Sequence, residues 1–113
     1  MDLASIASES AVEVEPGVHL TQLVAGDHMS IQHVRIEPGA TIPTHDHHHE
    51  QSGFIYQGQF TFLLGEKRTE PVEAGDSYQF EGHEPHGVIN HGDETALAID
   101  IFHPPRPNPD WAE

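Results

Sequence analysis

Cysteine is absent from the 113 residues, which excludes disulfides, thiolate zinc sites and a cysteine nucleophile, so any metal must be held by nitrogen and oxygen. Positive charge is almost as scarce. Four Lys and Arg stand against nineteen Asp and Glu, giving a formal net charge of −15. Such a surface repels phosphates and anionic bilayers, so neither a nucleic-acid nor a membrane partner is expected. The bulk charge serves solubility, and an anionic small molecule would need a local cation or metal to be held. Long apolar runs are missing as well. Met1 to Ser10 includes Asp2 and Glu9 but no Lys or Arg, a pattern that fits neither a secretory signal nor a membrane span, and the cytoplasm is the expected location. No stretch keeps a helical period for a useful length.

What remains is the grammar of a small all-β domain. A chain of this length buries roughly two-thirds of its unfolded surface in one core, so barrel closure, a metal or a dimer interface would each help it. Residues 1–16 read as an arm or edge strand near Val12 to Val14, residues 17–103 as the barrel, and residues 104–113 as a Pro-rich tail. β-branched and aromatic runs predict strands at Val18–Val24, Ser30–Ile36, Ser52–Tyr56, Gln59–Leu64, Ser77–Phe80, Gly87–Asn90 and Thr95–Phe102. Pro38-Gly39, Gln57-Gly58, Gly65-Glu66 and Ala74-Gly75-Asp76 supply the reversals. Many short strands with such turns predict an antiparallel sandwich or barrel. In the tail, Pro104, Pro105, Pro107 and Pro109 end the last strand, with Trp111 expected against the barrel.

Histidine is plentiful, with eleven in all. His45, His47, His49 and Gln51 share one parity, so an extended segment would turn all four to one face. Two imidazoles at i, i+2 can reach one metal at ~2.0–2.1 Å, and a third must come from elsewhere. His48 falls on the opposite face, while His49 is placed to support the site or to add a ligand. His19, His28, His33 and His91 have no motif behind them and are expected at the surface or satisfied in the core.

These residues resemble the cupin superfamily, whose first motif reads G-x5-H-x-H-x3/4-E-x6-G and whose second reads G-x5-P-x-G-x2-H-x3-N. Here the first is Gly39, His45, His47, Gln51 in the Glu place, and Gly58. The second is Gly75, Glu81 for Pro, His83 for Gly, His86 and Asn90. The resemblance implies a single-domain cupin, a jelly-roll or double-stranded β-helix barrel. It further implies one divalent ion (Zn, Ni, Fe or Mn) on His45, His47, Gln51 and His86. A neutral amide in place of the carboxylate would leave that ion its full charge and favour Lewis acidity.

Near the end, Ala96 to Phe102 is apolar except for Asp100, and a strand of this kind is expected to be covered on both faces. A lone buried carboxylate is a candidate proton carrier, the alternative being a structural Asp paired with backbone donors or a buried Arg such as Arg35. Asp100, Phe102 and Arg106 form Asp-x-Phe-x-Pro-Pro-Arg, which resembles the end of the KdgF-type pectin-degradation cupins. That likeness implies ring opening and ketonisation of 4,5-unsaturated uronates from pectin or alginate, with Asp100, Arg106 and Phe102 as catalytic residues and a sugar acid as substrate. Barrel core is the alternative role for Phe102, ranked just behind packing on the sugar. A metal-dependent cupin dioxygenase and a non-enzymatic sugar- or metal-binding cupin stand as alternatives. Ile99 and Ile101, opposite Asp100, suggest a homodimer through sheet packing.

Overall fold

The computed structural model describes residues 1–106; Trp111 and most of the predicted tail lie outside them. Ten strands make up the fold: β1 Val12–Glu15, β2 Val18–Ala25, β3 Ser30–Ile36, β4 Thr41–His45, β5 Glu50–Gln57, β6 Gln59–Leu63, β7 Thr69–Glu73, β8 Ser77–Phe80, β9 His86–Ile89 and β10 Ala96–His103. They form two antiparallel sheets, one of six strands in the order β1-β2-β3-β10-β5-β8 and one of four in the order β4-β9-β6-β7. This is the expected all-β jelly roll. No helix among the described residues is long and apolar enough to cross a membrane.

Alternation decides which side chains meet between the sheets. In β3, Val34 and Ile36 point inward, and in β10 Ala96, Ala98, Asp100 and Phe102 are buried while Leu97, Ile99 and Ile101 are only half-buried. Thus the last strand, expected to be covered on both faces, is fully covered on one. The rings of Phe60, Phe62, Tyr78 and Phe80 fill the interior, with Phe62 centred 5.2 Å from Phe60, 4.8 Å from Tyr78 and 5.0 Å from Phe80 in edge-to-face contacts. Each such pair adds ~0.5–1.5 kcal/mol beyond its buried area.

Two strands, β4 and β7, are absent from the sequence-based prediction, and both contain proline: Pro43 and Pro71. They are the two edges of the four-stranded sheet, where a missing backbone donor leaves no central ladder broken. Nor is 45–51 one extended strand. β4 ends at His45, residues 46–49 turn, and β5 begins at Glu50.

The turns hold the positive φ that their glycines allow, for example Gly39 at 84° and Gly75 at 103°. More telling is His83, which replaces the glycine of the second motif and still adopts φ 66°. The residue that departs from the motif thus sits in the left-handed region, at the steric cost that a Cβ brings there.

Candidate functional site

β4 delivers His45, the following turn delivers His47, and β9 opens with His86, which pairs directly with His45 across the ladder. One potential ligand nitrogen from each of His45, His47 and His86 lies within 4.8 Å of the others. The backbone fixes which nitrogen that is. Nδ1 of His45 faces the Pro43 carbonyl at 3.0 Å, Nδ1 of His47 that of His49 at 3.1 Å, and Nδ1 of His86 that of Glu84 at 2.7 Å. A carbonyl only accepts, so each Nδ1 carries the proton and each neutral ring keeps its lone pair on Nε2. Phe80 stacks on His86 at 4.3 Å with 7° between planes, holding that ring in place.

Gln51 completes the arrangement from the other sheet. Asp100 accepts a hydrogen bond from the Gln51 side chain, which only the amide nitrogen can give, and this turns Oε1 toward His47 Nε2 at 3.1 Å. Two lone pairs then face each other. Protonating His47 would relieve this, but burial, the Arg106 charge and the neighbouring His45 imidazole push its pKa down. His86, 3% exposed, has its Nε2 buried with no partner among the described residues, and burial holds its pKa down at about 4. Three convergent imidazole lone pairs and an amide oxygen fit a divalent cation with nitrogen and oxygen preference. Glu50, beside Gln51, is exposed and is not in the histidine cluster.

His49 has a different job. It is not in the ligand cluster. It donates to the Pro105 carbonyl and packs edge-on against Phe102 with centroids 6.0 Å apart. With the Arg106 amide donating to Ser30 Oγ at 2.8 Å, this fastens the start of the tail over the barrel mouth. The Arg106 guanidinium consequently sits over the Phe102 ring, 5.3 Å from its centroid.

Asp100 is 6% exposed, and its pKa is raised to about 6 by burial, partly offset by its hydrogen bonds from Tyr78 and Gln51 and by the Arg106 charge. The Tyr78 hydroxyl donates to Asp100 Oδ1 at 2.6 Å. Arg35, the structural partner considered for Asp100, instead pairs with Glu37 at 2.6 Å on the surface. Gly53 makes room for the carboxylate. A Cβ there would lie against Asp100 Oδ1, and within 2.6 Å of the Ile99 carbonyl and 2.8 Å of the Tyr78 ring.

His45, Gln51, His86, Asp100, Phe102 and Arg106 all line one cavity of about 290 Å³. Residues that sequence reasoning left unnamed also line it, Tyr78 and Gln32 among them. Neither belongs to a motif. Both sit at ordinary inward positions of strands, and their register opposite Asp100 and Gly53 is visible only once the strands are paired.

The comparisons with known proteins agree with this fold. A cupin domain model matches residues 32–102. The chain is a cupin. Its structure is similar to KdgF from Halomonas sp., with a TM-score of 0.82 and 26% identity over 94% of this chain and 96% of that one. An RmlC-like cupin from Shewanella frigidimarina matches at TM-score 0.81 and 21% identity, covering 94% of this chain and 93% of that one. The polyketide cyclase RemF from Streptomyces resistomycificus matches at 0.83 and 20%, covering 96% and 82%. These last two bear on the fold alone. This cupin therefore has a KdgF-like barrel and three histidines able to form a metal site.

Proposed function

We propose that this cupin opens and ketonises 4,5-unsaturated uronate monosaccharides, with a divalent metal held by His45, His47, Gln51 and His86 and with Asp100, Arg106 and Phe102 as the residues that handle the sugar. The observation that carries this reading is Asp100. A buried carboxylate whose partners are Tyr78 and the ligand-positioned Gln51 opens onto the same cavity as Arg106. A cavity of about 290 Å³ lies at the small end of ligand pockets, which begin near ~300 Å³, and suits one sugar ring better than an oligosaccharide.

The reaction is a balanced isomerisation. The C1 hydroxyl of the hemiacetal loses its proton as the bond from C1 to the ring oxygen breaks, leaving an aldehyde and an enolate at C5. The enolate then gains that proton at C4 and becomes the 5-keto acid. When bound, the metal would supply Lewis-acid stabilisation of negative charge on oxygen. Asp100 takes the proton from the C1 hydroxyl and delivers one to C4, which a carboxyl with a pKa raised to about 6 can do near neutrality. The Arg106 guanidinium receives the substrate carboxylate as a planar fork. Phe102 holds that guanidinium and closes the cavity floor against water.

The test is turnover of unsaturated galacturonate and its alginate counterpart by metal-loaded protein, followed by loss of the conjugated enol-ether absorbance under nitrogen. Anaerobic turnover separates this reading from a dioxygenase, and turnover at all separates it from a binding module. Asp100→Asn is expected to slow ketonisation by ~10²-fold or more with metal retained, and Arg106→Ala to act chiefly on KM. Spontaneous rates with the wild type would end the uronate reading. A homodimer is proposed through the outer face of the six-stranded sheet, where Ile99 lies beside the exposed Phe54.

A further inference from the structure

The inward row of β3 runs Ser30, Gln32, Val34, Ile36. Ser30 is occupied by the Arg106 amide, and Val34 and Ile36 belong to the apolar core. Gln32 fits neither group. It is 4% exposed, and its Oε1 is buried with no hydrogen-bond partner among the described residues. It lines the cavity that holds His45, His86 and Arg106, and its Cα partner on β10 is Asp100. Leucine at this position would fill similar space with no polar atom to satisfy. A buried amide oxygen left unmet has a standing cost, and an atom of this kind in a cavity wall calls for a partner that arrives from outside.

We propose that Gln32 binds a ring hydroxyl of the substrate and so makes the cavity selective for a hydroxylated ring acid over a deoxygenated one of the same shape. The assignment rests on the uronate reading of the site. Of the three β3 side chains that line the cavity, Val34 and Ile36 cannot distinguish a hydroxyl from a hydrogen, whereas a carboxamide can. A carboxamide both donates and accepts, as does a hydroxyl, so the bond forms whichever way the amide is turned. The interaction is discriminating because an analogue without the hydroxyl leaves the amide unmet in the complex.

Calorimetry on zinc-loaded protein tests this with two probes, galacturonate and tetrahydropyran-2-carboxylate, which keeps the ring and the carboxylate but has no hydroxyl. Gln32→Leu is expected to weaken galacturonate ~10-fold and to leave tetrahydropyran-2-carboxylate within ~2-fold. Gln32→Met, of similar length, repeats the measurement in a second packing. Zinc content should be unchanged in both, and the ligand-free variants should melt no lower than the wild type because an unmet amide has been removed. Equal loss for both acids, unaltered galacturonate binding, or a clear fall in melting temperature would each overturn the role of Gln32 while leaving the uronate reading standing. If the wild type binds neither acid, this assignment fails, whereas the uronate reading fails only if unsaturated galacturonate turns over at its spontaneous rate.

Discussion

The two ends of the barrel interior treat their polar atoms in opposite ways. At the end where β3 and β10 pair Ile36 with Ala96, Asn90 is fully buried and fully used. Its Nδ2 donates to Ile36 O at 2.9 Å and Glu94 O at 3.0 Å, and its Oδ1 accepts from Gly92 N at 2.8 Å. At the other end, where Phe102 pairs with Ser30, His86 Nε2, His49 Nδ1 and Gln32 Oε1 are buried without partners among the described residues. An unmet buried group costs ~1–3 kcal/mol. One end of the fold removes that cost and the other retains it, which separates the part whose polar atoms are satisfied within the fold from the part where some are not. Asn90, a position of the second motif, falls on the structural side of this division, while His86, four residues earlier, falls on the other.

The contrast can be broken by experiment. The largest effect is expected at the metal. Purified protein should carry close to one divalent ion per chain, and His86→Ala should reduce this to near zero by elemental analysis after dialysis; full occupancy would place the ion elsewhere. Next comes stability. Asn90→Ala strands three backbone groups and should lower unfolding free energy by ~2–4 kcal/mol in a denaturant titration. His86→Ala in metal-free protein should cost less, and an equal cost would erase the distinction between the ends.

The third effect is on pH. The buried imidazole of His86 titrates at about 4 in the folded chain against an ordinary value of 6.5, and His49 likewise reaches about 4, both chiefly through burial; His47 moves in the same direction. Below 6.5 the unfolded chain binds protons that the folded chain refuses, so this stabilisation is present above 6.5 and is lost as pH falls toward 4. Asp100 acts in the opposite sense, taking up its proton near 6 when folded against an ordinary value of 3.8. Three imidazoles outweigh one carboxylate, so metal-free protein should melt lower as pH drops through this window, and Asp100→Asn should steepen the fall. Metal affinity should fall over the histidine range as well, since ligand imidazoles must be neutral.

The smallest effect concerns His83. Relieving its φ of 66° by His83→Gly should raise stability by ~0.5–1 kcal/mol without changing metal content.

Much of this was legible in the sequence, and what was not has identifiable causes. Strand alternation and glycine turns gave the architecture because they are local. β4 and β7 were hidden because Pro43 and Pro71 argue against strands until it is known that these strands are edges. The parity argument grouped His45, His47 and Gln51, which do come together, but they do so around a turn between two strands of different sheets. Asp100 stood out as a charge in an apolar run, whereas its partner Tyr78 and its neighbour Gln32 did not, since a Tyr or Gln in an alternating strand carries no sign of what lies across the ladder.

His45 and His86 belong to the four-stranded sheet and Gln51 to the six-stranded one. An ion shared among them would stitch the two sheets at the mouth of the barrel, tying together segments far apart along a chain that has no disulfide to do so. Because the cluster exists only in the folded protein, the metal would also act as a thermodynamic clasp, adding ~2.7 kcal/mol when free metal stands at a hundred times its Kd. Resistance to unfolding would then track the metal supply of the surroundings.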